Sequence, residues 1–206
     1  MVAAHSLLWG NVAEYVTLLL IGSSHALLDA LCATSLQHFR LFQQPVRPDY
    51  PEGQAPYQRR VRFLLEAIAH PDALVTNLYF LQTRDAEQLE AILSKEFVKA
   101  CWEVHELLFK ITEPRVIITC HDVTEEVFCG KFVLGSKPVE IEAKHGNWKC
   151  RRLQGQWKSR EICVVKIPHL SIYDITQPRC RTVLEWVKKI VRECTDGWEM
   201  QAPAGV

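Results

Sequence analysis

The chain contains 206 residues, of which 24 are basic and 24 are acidic, so its formal net charge is zero. This length fits a single domain over residues 1–206, and 48% hydrophobic with 23% charged residues is typical of a globular protein that has a large core. Dedicated nucleic-acid-binding proteins are usually basic overall, so the charge balance argues against a uniformly cationic surface and allows only local basic patches.

The cysteines and the N-terminal segment indicate the compartment. No two of the eight cysteines are separated by only two residues, which excludes the spacings of zinc ribbons and iron–sulfur clusters. A chain that can bury its own core does not need disulfides, so we expect reduced thiols. Met1–Leu20 lacks a basic leader and is interrupted by Glu14, and no apolar run reaches the roughly 18 residues of a membrane span. We expect an intracellular protein, cytoplasmic or nuclear, that uses no metal, cofactor or membrane.

Apolar runs and amphipathic segments alternate along the chain. Four short apolar runs predict strands that are covered on both faces, at Val16–Ile21, Ala73–Val75, Val116–Thr119 and Ile162–Ile167. Helical spacing of apolar residues predicts helices at His25–Phe39, Tyr57–His70, Asp85–Ile111 (two helices or one bent helix), Asp122–Cys129 and Gln177–Glu193. This alternation predicts a three-layer α/β/α fold around a central, mostly parallel sheet of four strands.

Two segments interrupt the alternation. Gln43–Pro56 contains four prolines and Gly53, which predicts a surface loop. Glu140–Arg160 has no helical periodicity and contains Gly146 and Gly155, which indicates a hairpin or a long loop. The sequence shows no internal repeat and no low-complexity linker, in keeping with one domain.

A polar residue follows each of the four apolar runs. In chain order these residues are Ser24, Asn77, His121 and His169. Because the carboxyl ends of parallel strands lie at one edge of a sheet, where such sheets bind ligands, we expect these side chains to line a common pocket.

The segments around these residues resemble the motifs of one enzyme superfamily. Gly22-Ser23-Ser24-His25 stands where that superfamily has Gly-x-Asp/Asn-Pro, and Thr76-Asn77 stands where its base-pairing strand ends. Pro114-Arg115 begins a strand as in its middle section, and Pro168-His169-Leu170-Ser171 stands in place of its His-Pro-Ser motif. With these motifs in order over residues 16–191, the chain resembles the uracil-DNA glycosylase superfamily.

The resemblance implies a monofunctional DNA glycosylase. Such an enzyme binds a flipped base and hydrolyses the N-glycosidic bond of uracil or a related damaged base in DNA. By this resemblance His169 donates to the departing base, since a neutral imidazole stabilises developing oxyanion charge. Gly22 and Asn77 would bind the base, and an asparagine amide offers both a donor and an acceptor to it. Ser24 and His25 would complete the catalytic group, at the place where the family positions its water.

Departures from the family pattern keep two further functions open. Ser24 replaces the Asp or Asn that positions water, His25 replaces the following Pro, and Leu170 replaces the Pro of the last motif. A catalytically inactive glycosylase-like module that binds nucleic acid or a nucleotide accounts for these changes. A protein-interaction domain on the same fold also accounts for the neutral charge. The motif residues have structural interpretations as well, with His169 capping a strand end, Asn77 forming an Asx-turn and Ser24 capping a helix.

A cationic segment precedes the His169 loop. Its basic residues are interleaved with Trp148 and Trp157, and they are Lys144, Lys149, Arg151, Arg152, Lys158 and Arg160. Clustered cations and aromatic rings suit phosphate contacts and base stacking, so Lys149, Arg151 and Arg152 are predicted to bind single- or double-stranded DNA. The alternative is a solvated hairpin whose tryptophans fold back onto the core.

The loop after His169 completes the predicted DNA-binding surface. Ser171 keeps the register of the family's last motif, and Tyr173 falls where some members insert an apolar wedge into the duplex. Both residues are therefore predicted to contact DNA. The alternative for Tyr173 is that its side chain anchors the loop.

Overall fold

A seven-stranded sheet forms the centre of the fold. The computed structural model describes residues 18–21, 56–79, 93–135 and 137–199 of the chain. The strands are β1 (Leu18–Ile21), β2 (Leu74–Thr76), β3 (Val116–Thr119), β4 (Val133–Leu134), β5 (Val139–Glu142), β6 (Lys149–Trp157) and β7 (Arg160–Lys166). Their order across the sheet is β2-β1-β3-β7-β6-β4, and β5 pairs with β6.

The strand directions correct the predicted parallel sheet. β3 and β7 form the only parallel pair among the described strands, whereas β1 is antiparallel to both β2 and β3. The four predicted strands do lie side by side, as β2-β1-β3-β7, but β1 is reversed, and β4, β5 and β6 extend the sheet. The prediction of a mostly parallel, four-stranded sheet is therefore wrong, because a short apolar run indicates burial on both faces without indicating direction.

The segment predicted as a hairpin or long loop forms the second half of the sheet. β5 pairs with β6 and β6 pairs with β7, and both pairings are antiparallel. Lys158 and Ser159 alone connect β6 to β7, and Lys158 adopts a left-handed φ of 58°. Tight turns with positive φ match the twist of paired antiparallel strands. The hairpin interpretation of this segment is confirmed.

The described part of the chain contains α1 (Pro56–Ala67), α2 (Lys95–Thr112), α3 (Asp122–Cys129) and α4 (Arg181–Glu199). The predicted bounds of α3 are confirmed, α1 and α4 overlap their predicted ranges, and a 3₁₀ turn (Pro178–Cys180) precedes α4. α2 matches the later part of the predicted helical segment and begins after Ser94, whose hydroxyl accepts from the Phe97 N–H at 3.1 Å. The predicted helix at His25–Phe39 lies outside the described residues, as does the predicted loop at Gln43–Pro56 except for its last residue.

Helices pack against both faces of the sheet, in keeping with the predicted α/β class. On one face, Val116 and Ile118 of β3 share a buried cluster with Leu64 of α1 and Val187 of α4. On the other face, Ile117 of β3 belongs to a second buried cluster, to which α2 and α3 contribute. Successive residues of β3 therefore point into opposite layers, as the two-residue period of a strand requires.

Aromatic rings fill the layer between the sheet and helices α2 and α3. Phe109 is fully buried, and the ring centroids of Phe128, Phe132 and Trp157 lie 5.7, 6.1 and 5.4 Å from its own. The tilted and edge-on arrangements of these rings are favourable for aromatic pairs. Phe109 thus joins α2 to α3 and to β6.

We expect Phe109→Ala to lower the free energy of unfolding by about 3–5 kcal/mol, because the cavity would open at the centre of the ring cluster. Leu107→Ala on the same helix is the matched control, since Leu107 is 52% exposed and its truncation should cost about 0.5 kcal/mol or less. Urea unfolding followed by circular dichroism measures both variants. Equal losses in the two variants would contradict the burial that the structure assigns to Phe109.

Candidate functional site

The strands β2, β3 and β7 end at the same edge of the sheet. β2 and β3 are both antiparallel to β1, and β7 is parallel to β3, so β2, β3 and β7 run in the same direction. Their last residues are level, since Thr76 and Thr119 both lie opposite Leu18, and Thr119 lies opposite Lys166. This carboxyl edge is where the chain continues into Asn77, His121 and His169.

The first strand ends at the opposite edge. Ile21, the last residue of β1, pairs with Val116, the first residue of β3. The expectation that four strand ends share one edge is therefore wrong for β1, because its antiparallel pairing reverses it. Gly22, Ser24 and His25 follow β1 and lie outside the described residues, so their roles in base binding and catalysis stay predictions.

The width of the sheet sets the size of a ligand at the carboxyl edge. β1 and β3 lie between β2 and β7, and three strand spacings of about 4.8 Å separate the ends of β2 and β7 by roughly 14 Å. Asn77, after β2, is half-buried, and His169, after β7, is 5% exposed. A ligand that contacts both side chains must therefore be larger than a simple ion and close to a nucleoside in length.

The loop after β7 holds His169 in one orientation. The Nδ1 atom of His169 lies 2.7 Å from the Ser171 hydroxyl and 3.2 Å from the Ser171 backbone nitrogen. Because a backbone N–H can only donate, Nδ1 is the acceptor and the neutral ring carries its proton on Nε2. His169 is thus a hydrogen-bond donor at the carboxyl edge. Ser171, predicted to contact DNA, orients the histidine.

Tyr57, in the first turn of α1, stacks on His169. The ring centroids are 5.4 Å apart and the ring planes differ by 8°. The tyrosine hydroxyl is buried and has no hydrogen-bond partner among the described residues. Burial, and to a smaller extent the nearby Cys120, raises the pKa of Tyr57 well above its usual value, so the hydroxyl keeps its proton at neutral pH. No motif identifies Tyr57 in the sequence, where it occupies an ordinary helical position after Pro56.

Arg60, one turn further along α1, ties the His169 loop to the helix. Its Nη1 atom donates to the carbonyl oxygens of Leu170 at 2.7 Å and Ser171 at 2.6 Å. Its Nε atom lies 3.4 Å from a carboxylate oxygen of Asp174. These contacts fix the backbone on which His169 is carried. In the sequence, Arg60 is indistinguishable from a solvated residue on a helix surface.

A second group of charges lies between β7 and α3. Lys166 Nζ lies 2.6 Å from the Asp122 carboxylate, and Arg151 lies 3.4 Å from Asp122 and 3.3 Å from Glu125. Burial opposes ionisation of Asp122, but the hydrogen bond and charge of Lys166, with the charge of Arg151, hold its pKa below the usual value. In Glu125, burial prevails and raises the pKa. Asp122 is therefore a weak base, although it stands next to His121.

The basic residues that the sequence assigns to DNA do not form one surface. Arg151 and Arg152 are consecutive in β6 and contact opposite faces, since Arg151 pairs with α3 and Arg152 Nη1 lies 2.6 Å from Glu193 of α4. Lys149 Nζ lies 2.6 Å from Glu140 of the neighbouring strand. Binding to phosphate would require these ion pairs to break. DNA binding by Lys149, Arg151 and Arg152 stays a prediction that these contacts disfavour.

Tyr173 anchors the loop. Its side chain is fully buried, and its hydroxyl donates to the Ala143 carbonyl oxygen at 2.8 Å. The prediction of a tyrosine wedge is therefore wrong, because a side chain that spans the core between this loop and β5 is not available to a duplex. Trp157 is buried as well, whereas Trp148 is 36% exposed beside His145, with ring centroids 4.6 Å apart.

Within the described ranges, no group of three or more His, Cys, Asp and Glu side chains is arranged to hold a metal ion. His105, whose neighbour is Glu106, is buried and donates from Nε2 to the Leu78 carbonyl oxygen at 2.9 Å. This bond ties α2 to the residues that follow β2.

Among the helices of the described part, none combines the length and the apolar character needed to cross a membrane.

Comparisons with known proteins add no further constraint. No protein-family model, no curated protein and no solved structure matches the chain. The resemblance to the uracil-DNA glycosylase superfamily therefore rests on the four motifs.

Asp174→Asn should lower the free energy of unfolding by about 1 kcal/mol at pH 7, after allowance for solvent screening. Hydrogen bonds from Gln177 and Thr176, with the charge of Arg60, lower the Asp174 pKa from 3.8 to about 2. A lowered pKa stabilises the fold above the unfolded value, and this stabilisation is lost as the pH falls through about 2. Urea unfolding at several pH values between 7 and 2 should show the difference from wild type shrinking below pH 4.

The exposed Asp72 provides the matched control for this measurement. Asp72→Asn should change the free energy of unfolding by about 0.5 kcal/mol or less at every pH. A difference between wild type and Asp174→Asn that stayed constant down to the lowest pH would show that the carboxylate charge does not stabilise the loop.

Proposed function

We propose that the carboxyl edge binds a nucleobase, presented by single-stranded nucleic acid or by a nucleotide. The Tyr57–His169 stack carries this proposal. A histidine with its proton on Nε2 lies against a tyrosine whose buried hydroxyl has no partner among the described residues. Both belong to the edge that also carries Asn77. A buried hydroxyl without a partner costs about 1–3 kcal/mol, and a ligand that accepts its hydrogen bond offsets part of that cost.

The hydrogen-bonding groups match the edge of a pyrimidine. His169 Nε2 and the Tyr57 hydroxyl are donors that suit the base oxygens, while the Asn77 amide can donate and accept. The roughly 14 Å between the ends of β2 and β7 suits a base together with its sugar. The resemblance to the uracil-DNA glycosylase superfamily favours the same class of ligand.

The carboxylates near this edge favour binding without hydrolysis. Hydrolysis needs a group that can accept a proton from water. Asp122 is paired with Lys166 at 2.6 Å, and Asp174 is paired with Arg60 at 3.4 Å. The pKa values of both carboxyl groups are lowered, which makes them poor bases at neutral pH. The domain would then be a glycosylase-like module that recognises a base and leaves the glycosidic bond intact.

Hydrolysis of the N-glycosidic bond is the second candidate function. The observation that favours it is the proton on His169 Nε2, because a neutral imidazole stabilises negative charge on a departing base. Water would then be positioned by residues outside the described ranges, where Ser24 and His25 are the predicted pair.

Tyr57→Phe should weaken the binding of uridine monophosphate about tenfold, since it removes one donor worth about 1.4 kcal/mol. The same change should leave the free energy of unfolding equal or higher, because the deleted hydroxyl has no partner among the residues that the structure describes. His169→Ala should weaken binding by more than tenfold, as it removes both the donor and the stacked ring. Titration calorimetry and urea unfolding measure the two effects separately.

His70→Ala is the control for these variants. His70 lies between α1 and β2, near the beginning of β2 and thus at the edge opposite to the proposed site. This variant should bind uridine monophosphate as the wild type does. Unchanged affinity in both Tyr57→Phe and His169→Ala, or no binding by the wild type of either the nucleotide or a uracil-containing single strand, would overturn the proposal.

Incubation with uracil-containing single- and double-stranded oligonucleotides distinguishes the two candidate functions. A binding module should produce no abasic sites, measured by alkaline strand cleavage, beyond those seen with His169→Ala. Abasic sites that form with the wild type and disappear in His169→Ala would establish hydrolysis instead.

A further inference from the structure

Two cysteines and an arginine meet on the face of the sheet that α1 and α4 cover. Cys163 lies in β7 opposite Val116, the first residue of β3, and is therefore at the edge away from the proposed base site. Cys194 lies in α4 and packs against the buried cluster that contains Cys163. Arg152 of β6 reaches the same place from the neighbouring strand. The proposed base site uses none of these three residues.

The contacts orient the three side chains toward one another. Arg152 Nη2 lies 4.0 Å from Cys194 Sγ, while its Nη1 lies 2.6 Å from Glu193 and fixes the guanidinium. The Cys163 thiol is hydrogen-bonded to the Cys194 sulfur. Cys163 is buried, whereas Cys194 is partly exposed on the helix. Cys194 is therefore the more accessible of the two residues, and the buried Cys163 thiol is in contact with it.

The surroundings of the two sulfurs favour the protonated thiol at Cys163 and the thiolate at Cys194. The hydrogen bond to Cys194, together with burial, raises the pKa of Cys163, which keeps its proton. The same hydrogen bond lowers the pKa of Cys194 to about 7, and Arg152 acts in the same direction, against the effects of burial and of Glu193. In contrast, burial raises the pKa of Cys129 to about 11.

We propose that Cys163 and Cys194 form a thiol pair that hydrogen peroxide oxidises to a disulfide, with Cys194 as the reacting sulfur and Cys163 as the resolving one. The geometry of the pair carries this proposal: the sulfur of a half-buried cysteine lies 4.0 Å from a guanidinium fixed by Glu193, and this cysteine packs against the buried cluster that contains the second thiol. Redox-active cysteines are usually accessible, close to a cation and next to a second thiol.

The reaction balances with peroxide as the only oxidant. The Cys194 thiolate attacks one peroxide oxygen, so an S–O bond forms, the O–O bond breaks and the leaving hydroxide takes up a proton as water. The Cys163 sulfur then attacks the sulfenic sulfur of Cys194, so the S–S bond forms and the S–O bond breaks. The second hydroxide leaves with the Cys163 proton as water. Two thiols and one peroxide give one disulfide and two waters, and the bond links β7 to α4.

Peptide mapping after treatment of the whole protein with equimolar hydrogen peroxide tests the proposal. We expect loss of two hydrogen atoms from the intact mass, a cross-linked pair of peptides that contain Cys163 and Cys194, and reversal by dithiothreitol. In Cys163→Ala, the reaction should stop at a sulfenic acid on Cys194 that dimedone traps. In Cys194→Ser, neither product should form.

Alkylation rates at pH 7 provide a second readout, which begins with the wild-type protein. Iodoacetamide should modify Cys194 of the reduced wild type more than about tenfold faster than the half-buried Cys129, because the thiolate is the reactive form. Arg152→Met should slow the reaction of Cys194 and leave that of Cys129 unchanged. Peroxide treatment that converts Cys194 to sulfinic acid without a bond to Cys163, or equal alkylation of Cys194 and Cys129, would overturn the proposal.

Discussion

The parallel pairing of β3 with β7 is the contact on which the arrangement of the site depends. The pairing extends over the whole of β3, and the Ile167 N–H continues it by donating to the Thr119 carbonyl oxygen at 2.9 Å. Parallel strands end at the same edge, so this pairing alone brings the segments after Thr119 and Lys166 together. It places His121 beside the beginning of the His169 loop, and it places Lys166 against Asp122 of α3. Without it, the histidines and the charge pair would belong to unrelated surfaces.

The β5–β6 hairpin and the carboxyl edge differ in whether their polar groups have partners within the described residues. The β5–β6 hairpin neutralises its charges internally, through the pairs of Lys149 with Glu140 and Lys144 with Glu142. Such exposed pairs contribute little stability, but they leave little free positive charge to attract phosphate. At the carboxyl edge, Tyr57 keeps a buried hydroxyl that no described residue satisfies. The proposed ligand would supply the acceptor that this hydroxyl lacks.

The two layers that enclose the sheet also differ in chemistry. The layer between the sheet and α2 and α3 is built around Phe109 and its neighbouring rings, and it also holds the ion pairs of Lys166 and Arg151 with α3. The layer on the other side admits Arg152 next to two thiols, although most of its members are aliphatic. A guanidinium in this position is stabilised by Glu193 and by the polarisable sulfur of Cys194. The proposed base site and the proposed thiol pair therefore lie in different parts of the same sheet.

The sequence by itself determined which segments are buried, where α3 begins and ends, and that residues 140–160 form a hairpin or a long loop, because hydrophobic period and turn residues act locally. Asn77 and His169 were also identifiable as candidate site residues, since each follows an apolar run. The direction of β1 was decided only by the tertiary structure, because an apolar run buries equally well in either direction. The tertiary structure also decided which residues contact Arg60, Tyr57 and Arg152. The spacing of a charged or aromatic residue in a helix or strand does not indicate which distant residue it will contact. Contacts between residues far apart in the chain depend on strand order, and strand order follows from how whole layers pack rather than from any local pattern.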